Sequence, residues 1–108
     1  MMDEKALAII NNYGPLHQLR KLNEECYELC EAVTKYEYDY ESSETSHRTV
    51  VSNREHLVEE LSDCYAILRE IQKFYNVLDE EVGLNMNYKY DRQLGRMEQE
   101  QLVNLEEM

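Results

Sequence analysis

Leu16-His17-Gln18-Leu19-Arg20-Lys21-Leu22-Asn23-Glu24-Glu25-Cys26-Tyr27-Glu28-Leu29-Cys30-Glu31-Ala32-Val33 is the stretch that decides the fold class. Leu19, Leu22, Cys26, Leu29, Cys30 and Val33 recur at steps of three and four, the period of an amphipathic α-helix and not of a strand. The pattern carries that helix to about Tyr36. Upstream, Ala6, Leu7, Ile9 and Ile10 predict a shorter helix from about Glu4 to Asn12. Gly14 is placed to end it with a left-handed cap and Pro15 to restart the chain. Downstream, residues 37–53 are polar, rich in Ser and Thr and without sustained period, and read as a long loop. Leu57, Val58, Leu61, Cys64, Tyr65, Leu68 and Ile71 then mark a helix capped by Asn53 and running to about Tyr75. A weaker pattern follows in Val82, Leu84, Met86, Tyr90, Leu94 and Met97, with Gly83 and Gly95 inside it. It predicts a fourth helix that frays into a weakly ordered acidic C-terminal tail.

Helical period throughout predicts an all-α fold, a small bundle of three to four helices in a single domain spanning residues 1–108. So short a chain buries a modest core, and the helices are expected to oligomerise into a larger four-helix-type core. Acidic residues number 23 against 11 basic ones, a formal charge of −12, which sets nucleic acid and anionic membrane aside as partners and favours divalent cations. No apolar run approaches the ~18 residues of a membrane span, and Met1-Met2-Asp3-Glu4 lacks the basic start of a secretory leader, so the expected location is cytoplasmic. Cys26, Cys30 and Cys64 are odd in number and lie within apolar-periodic segments, where free thiols act as small hydrophobes.

The chemistry-bearing residues are acidic. Glu25 and Glu28 on the second helix, and Glu60 and Asp63 on the third, each stand at i and i+3, which stacks two carboxylates on one helix face. Like charges at that spacing repel, and packing the two helices together adds to the cost unless a cation lies between them. Oxygen-only donors suit Mg²⁺, with Mn²⁺ as the alternative ion, whereas His17, His47 and His56 form no zinc spacing. The same pattern also fits plain solvated helix faces. Lys89, Arg92 and Arg96 fall at i, i+3 and i+7, either to meet phosphates or to pair with Glu80, Glu81, Asp91 or Glu98. Of nine tyrosines, Tyr36, Tyr38 and Tyr40 cluster near the expected loop, where they offer a base a stacking surface or simply close the bundle's edge.

Gln18, Lys21-Leu22, Glu24-Glu25-Cys26-Tyr27-Glu28-Leu29 and Ala32, followed by Glu59-Glu60-Leu61-Ser62-Asp63, resemble the all-α nucleoside triphosphate pyrophosphohydrolases of the MazG-like superfamily. Asn87-Tyr88-Lys89-Tyr90-Asp91-Arg92 is similar to that family's later Asn-x-Lys-aromatic-x-Arg segment, so the likeness spans about residues 13–98. The resemblance implies a Mg²⁺-dependent hydrolase that cleaves a (d)NTP to the monophosphate and pyrophosphate. It implies Glu25, Glu28, Glu60 and Asp63 as metal ligands, and Glu24 or Glu25 as the catalytic group orienting the water. Gln18, Lys21, Asn87, Lys89 and Arg92 become substrate-binding residues, and the assembly a homodimer or a dimer of dimers. The chain departs from the family in the 31 residues between Glu28 and Glu60, longer than usual and read as an added loop or lid. It departs again at Tyr13-Gly14, where relatives often carry Trp-Gly. The competing expectation is a non-catalytic acidic helical module that binds a protein partner.

Overall fold

The computed structural model describes residues 1–41 and 47–107, with side chains described outside 39–49. The described residues form four helices and no strand: α1 (Met2–Tyr13), α2 (Pro15–Glu41), α3 (His47–Phe74) and α4 (Asp79–Glu107). Pro15 opens α2, where its missing N–H costs nothing. Gly14 sits between α1 and α2 at φ 88 and ψ 156, and its N–H closes α1 on the Ile10 carbonyl at 2.7 Å. That ψ is extended and not the left-handed cap expected from sequence, and the combination is one that glycine alone adopts without strain. Asn76, at φ 53, ends α3 and donates its N–H to the Lys73 carbonyl. At the start of α4 the Leu78 N–H is satisfied by the Glu81 carboxylate at 2.8 Å, half of a capping box.

The expected loop over 37–53 is corrected at both ends. Residues 37–41 continue α2 and 47–53 belong to α3, so that only 42–46, which lie outside the described residues, remain of it. Once the neighbouring turns are packed, each residue added to a helix end gains a backbone hydrogen bond at small cost, whatever its hydropathy pattern. Asn53 consequently lies inside α3 and is buried there, not at its cap. The acidic tail is likewise helical through Glu107, and neither Gly83 nor Gly95 interrupts α4.

The chain forms two compact units, Met1–Asn76 and Val77–Met108. In the first unit α2 and α3 pack antiparallel, and α1 lies chiefly on α3. Ala6, Ile10, Ala32, Cys64 and Ile67 form its apolar core. Asp3 fixes the start of α1 by a two-pronged ion pair with Arg69, Nε–Oδ1 2.7 Å and Nη2–Oδ2 3.1 Å, joined by Lys73 Nζ at 3.3 Å. Those cations hold the Asp3 carboxyl below its usual range. The second unit is α4, whose described residues include no buried one.

The packed face differs from the apolar stripe read in the sequence. On α2 the inward positions are Gln18, Leu22, Glu25, Leu29 and Ala32, while Leu19, Cys26, Cys30 and Val33 are exposed. On α3 they are Asn53, Leu57, Glu60, Cys64, Ile67 and Glu70, while Val58, Leu61, Tyr65 and Leu68 are exposed. Each helix is therefore turned by less than one residue step, roughly 75°, with Leu22, Leu29, Leu57 and Cys64 common to both faces, and this brings acidic and amide side chains into the interface.

Candidate metal centre

Because α2 and α3 run antiparallel, Glu25 and Glu28 meet Glu60 and Asp63 midway along the hairpin. One oxygen each of Glu25, Glu60 and Asp63 lies within 4.8 Å of the others. Glu28 is the neighbour that completes the group, for its charge helps to raise both Glu25 and Glu60. Burial grades across the cluster: Glu60 is only 7% exposed, Glu25 is half-buried, and Glu28 and Asp63 stand at the solvent edge. His56 Nε2 is 3.9 Å from Glu60 Oε1 and contributes the nearest basic nitrogen.

The electrostatics follow from this crowding. Burial, reinforced by the charges of Glu28 and Asp63, pushes the Glu25 carboxyl up from 4.5 to about 7. The same causes raise Glu60, against the opposing pull of His56. Oε2 of Glu25 and Oε2 of Glu60 are shielded from solvent and have no hydrogen-bond partner. A shielded carboxylate oxygen without a donor is costly and calls for a proton or a cation. The donor set, carboxylate oxygens from two rigid helices with two shielded lone pairs unmatched, fits a hard divalent cation.

The remaining residues predicted from sequence are distributed differently. Glu24 is exposed on α2 beside the cluster, and Lys21 is exposed one turn before Glu25. Gln18 is buried at 3% exposure. Its Nε2 donates to Glu70 Oε1 at 2.6 Å and its Oε1 meets His17 Nδ1 at 2.8 Å, so its amide is committed to the protein. Asn87, Lys89 and Arg92 are exposed on α4 in the second unit, where the Arg92 guanidinium lies over the Tyr88 ring at 5.8 Å from its centroid.

Sequence reasoning missed Glu70, which is 5% exposed. The available signal was its place on the same face as Glu60 and Ile67, three turns along α3. The thiols also divide: Cys64 is buried, whereas Cys26 and Cys30 are exposed and not part of the packed face. Burial and contact with Cys26 push the Cys64 thiol up to about 11. No family model matches the chain, and comparison with curated proteins and with solved structures returns no match.

Proposed function

We propose that the protein is a Mg²⁺-dependent pyrophosphohydrolase of the MazG-like type, cleaving a (d)NTP to the monophosphate and pyrophosphate. The observation that carries the reading is the convergence of Glu25, Glu60 and Asp63 oxygens within 4.8 Å, two of the cluster's oxygens being shielded and without a donor. Glu25, Glu28, Glu60 and Asp63 would hold the cation. Bound there, a divalent ion supplies neutralisation of phosphate charge and a water of lowered pKa. Glu25 lies inside the cluster and Glu24 at its rim, which favours Glu25 for orienting the water. Lys21, exposed on the same edge of α2, is suited to a phosphate oxygen. Lys89, Arg92 and Asn87 are assigned to the substrate by the resemblance alone. Gln18 is likewise assigned to the substrate by the resemblance alone, and its amide is paired with Glu70 and His17.

A homo-oligomer is part of the same proposal. Leu19, Val33, Val58, Leu61, Tyr65 and Leu68 form an exposed apolar edge on α2 and α3, which a second subunit would cover. Incubation with a panel of (d)NTPs and Mg²⁺, assayed for monophosphate and pyrophosphate, tests the activity. Absence of both products for every nucleotide, with Mn²⁺ as well as Mg²⁺, would refute it and favour the acidic interaction module.

A further inference from the structure

Beside the carboxylate cluster the first unit has an open groove of about 670 Å³, lined along α2 and by His56 of α3. A volume of that order is typical of small-molecule sites. Its lining includes Tyr27 and Tyr38, together with Thr34, Lys35 and His56. Glu31 is the one carboxylate among the described lining residues. In a chain of net charge −12 this lining has no excess of acid, with one lysine against one glutamate and two tyrosines beside them.

His56 joins the two features, because it lines the groove and also holds Nε2 3.9 Å from Glu60 Oε1. Lys35 stands two turns beyond Glu28 on the same edge of α2, as Lys21 stands two turns before it. The cluster is thus flanked by lysines on the edge from which a phosphate would approach. Tyr27 and Tyr38 are 68% and 75% exposed, so their ring faces are open to a planar ligand, and each carries a hydroxyl able to bond a polar ring edge.

We propose that this groove takes the base end of a nucleotide whose phosphates lie on the carboxylate cluster. Tyr38, one turn beyond Lys35 on α2, supplies the stacking face, and Lys35 and His56 meet the phosphate nearest the sugar. This assignment deepens the pyrophosphohydrolase reading and rests on it. It locates the base on the chain that supplies the four carboxylates, and it makes selection among bases depend on α2.

Steady-state hydrolysis by the full chain and by Tyr38→Leu and Lys35→Ala variants tests the assignment. Both sites are on the surface, and circular dichroism confirms folding. Loss of the stacking face raises KM for the preferred nucleotide about tenfold or more while kcat changes less than threefold. Lys35→Ala raises KM in the same sense. Unchanged KM in an enzyme that turns over overturns the groove and leaves the pyrophosphohydrolase standing. If the wild-type chain turns over no nucleotide, titration with AMP, CMP, GMP and UMP, followed by NMR at the Tyr27, Tyr38 and His56 rings, decides the groove by itself. Shifts at those rings support a nucleotide site without turnover, and no shift with any of the four overturns it.

Discussion

Glu25→Gln is the most informative single change, because it keeps the side chain's shape and removes only the charge that the cluster cannot tolerate without a cation. The Glu25 carboxyl is pushed up from 4.5 to about 7. At pH 8, where it is ionised in both folded and unfolded chains, that elevation corresponds to a ceiling of roughly 3 kcal/mol of destabilisation, at ~1.4 kcal/mol per pH unit. Solvent on the Glu28 and Asp63 side screens much of this, leaving about 1 kcal/mol. At Glu25 the folded, metal-free chain holds the proton longer than the unfolded chain, between about 4.5 and 7, so this group's contribution to stability falls as pH rises through that window and levels off above it. At pH 8 in EDTA, Glu25→Gln is therefore expected to melt higher than wild type by about 4–8 °C, the shift that ~1 kcal/mol gives a domain of this size. At pH 4.5 the two should coincide. Adding Mg²⁺ at 100 times its Kd would stabilise the wild type by about 2.7 kcal/mol, and the variant, short of one charged ligand, by clearly less. Differential scanning calorimetry at both pH values, with and without the ion, reads all four states. A variant no more stable than wild type at pH 8, or one gaining as much from Mg²⁺, would refute the reasoning that these carboxylates are crowded for a cation.

Three further outcomes follow from the surroundings of the cluster. Gly14→Ala should destabilise the chain by about 1–3 kcal/mol in urea titration: φ 88 with ψ 156 is strained for any residue bearing a Cβ, although no atom lies within 4 Å of where that Cβ would stand. Gln18→Leu strips the 2.6 Å hydrogen bond from the buried Glu70 carboxylate and should cost about 2 kcal/mol, whereas Gln18→Leu/Glu70→Leu should recover most of it by removing the orphan along with its partner. In limited alkylation at pH 8, followed by peptide mass spectrometry, Cys30 and Cys26 should react before Cys64, whose thiol is buried and pushed up to about 11.

The sequence made the class of fold legible, because hydrophobic period is a local property: Leu22, Leu29, Leu57 and Ile71 recur at helical steps whatever they pack against. It also located the four acids of the cluster, since their i, i+3 spacing is likewise local. It did not reveal which face of each helix is buried. Leu19 and Val33 on α2 and Leu61 and Leu68 on α3 are as apolar as the residues that pack, and within this chain they are exposed. Hydropathy cannot rank such a face below one carrying Gln18, Glu25, Glu60 and Glu70, because the merit of the polar face lies in pairings between helices. The helix boundaries near 37–53 were missed for a related reason: a polar, Ser- and Thr-rich stretch has no hydrophobic period to read, and a helix already begun extends through it by backbone hydrogen bonds.

Those pairings also explain how the hairpin holds its acids in place. Gln18 with Glu70, Glu25 with Asp63 and Glu28 with Glu60 share one residue-number sum, so a single antiparallel register serves all three pairs. The first pair is hydrogen-bonded and buried. Sliding α2 by one turn would set Gln18 against Ile67 and leave the Glu70 carboxylate shielded without a donor. An apolar interface alone discriminates weakly between such registers, since Leu22 or Leu29 would find another apolar neighbour after the slip. A buried amide–carboxylate pair discriminates strongly, because the alternative leaves a desolvated charge. The cluster disfavours its own register, through like charges and two shielded oxygens with no donor. The cost of holding four carboxylates together in the absence of a cation is thus opposed two turns away, where Gln18 and Glu70 would lose their only matching geometry if the helices shifted.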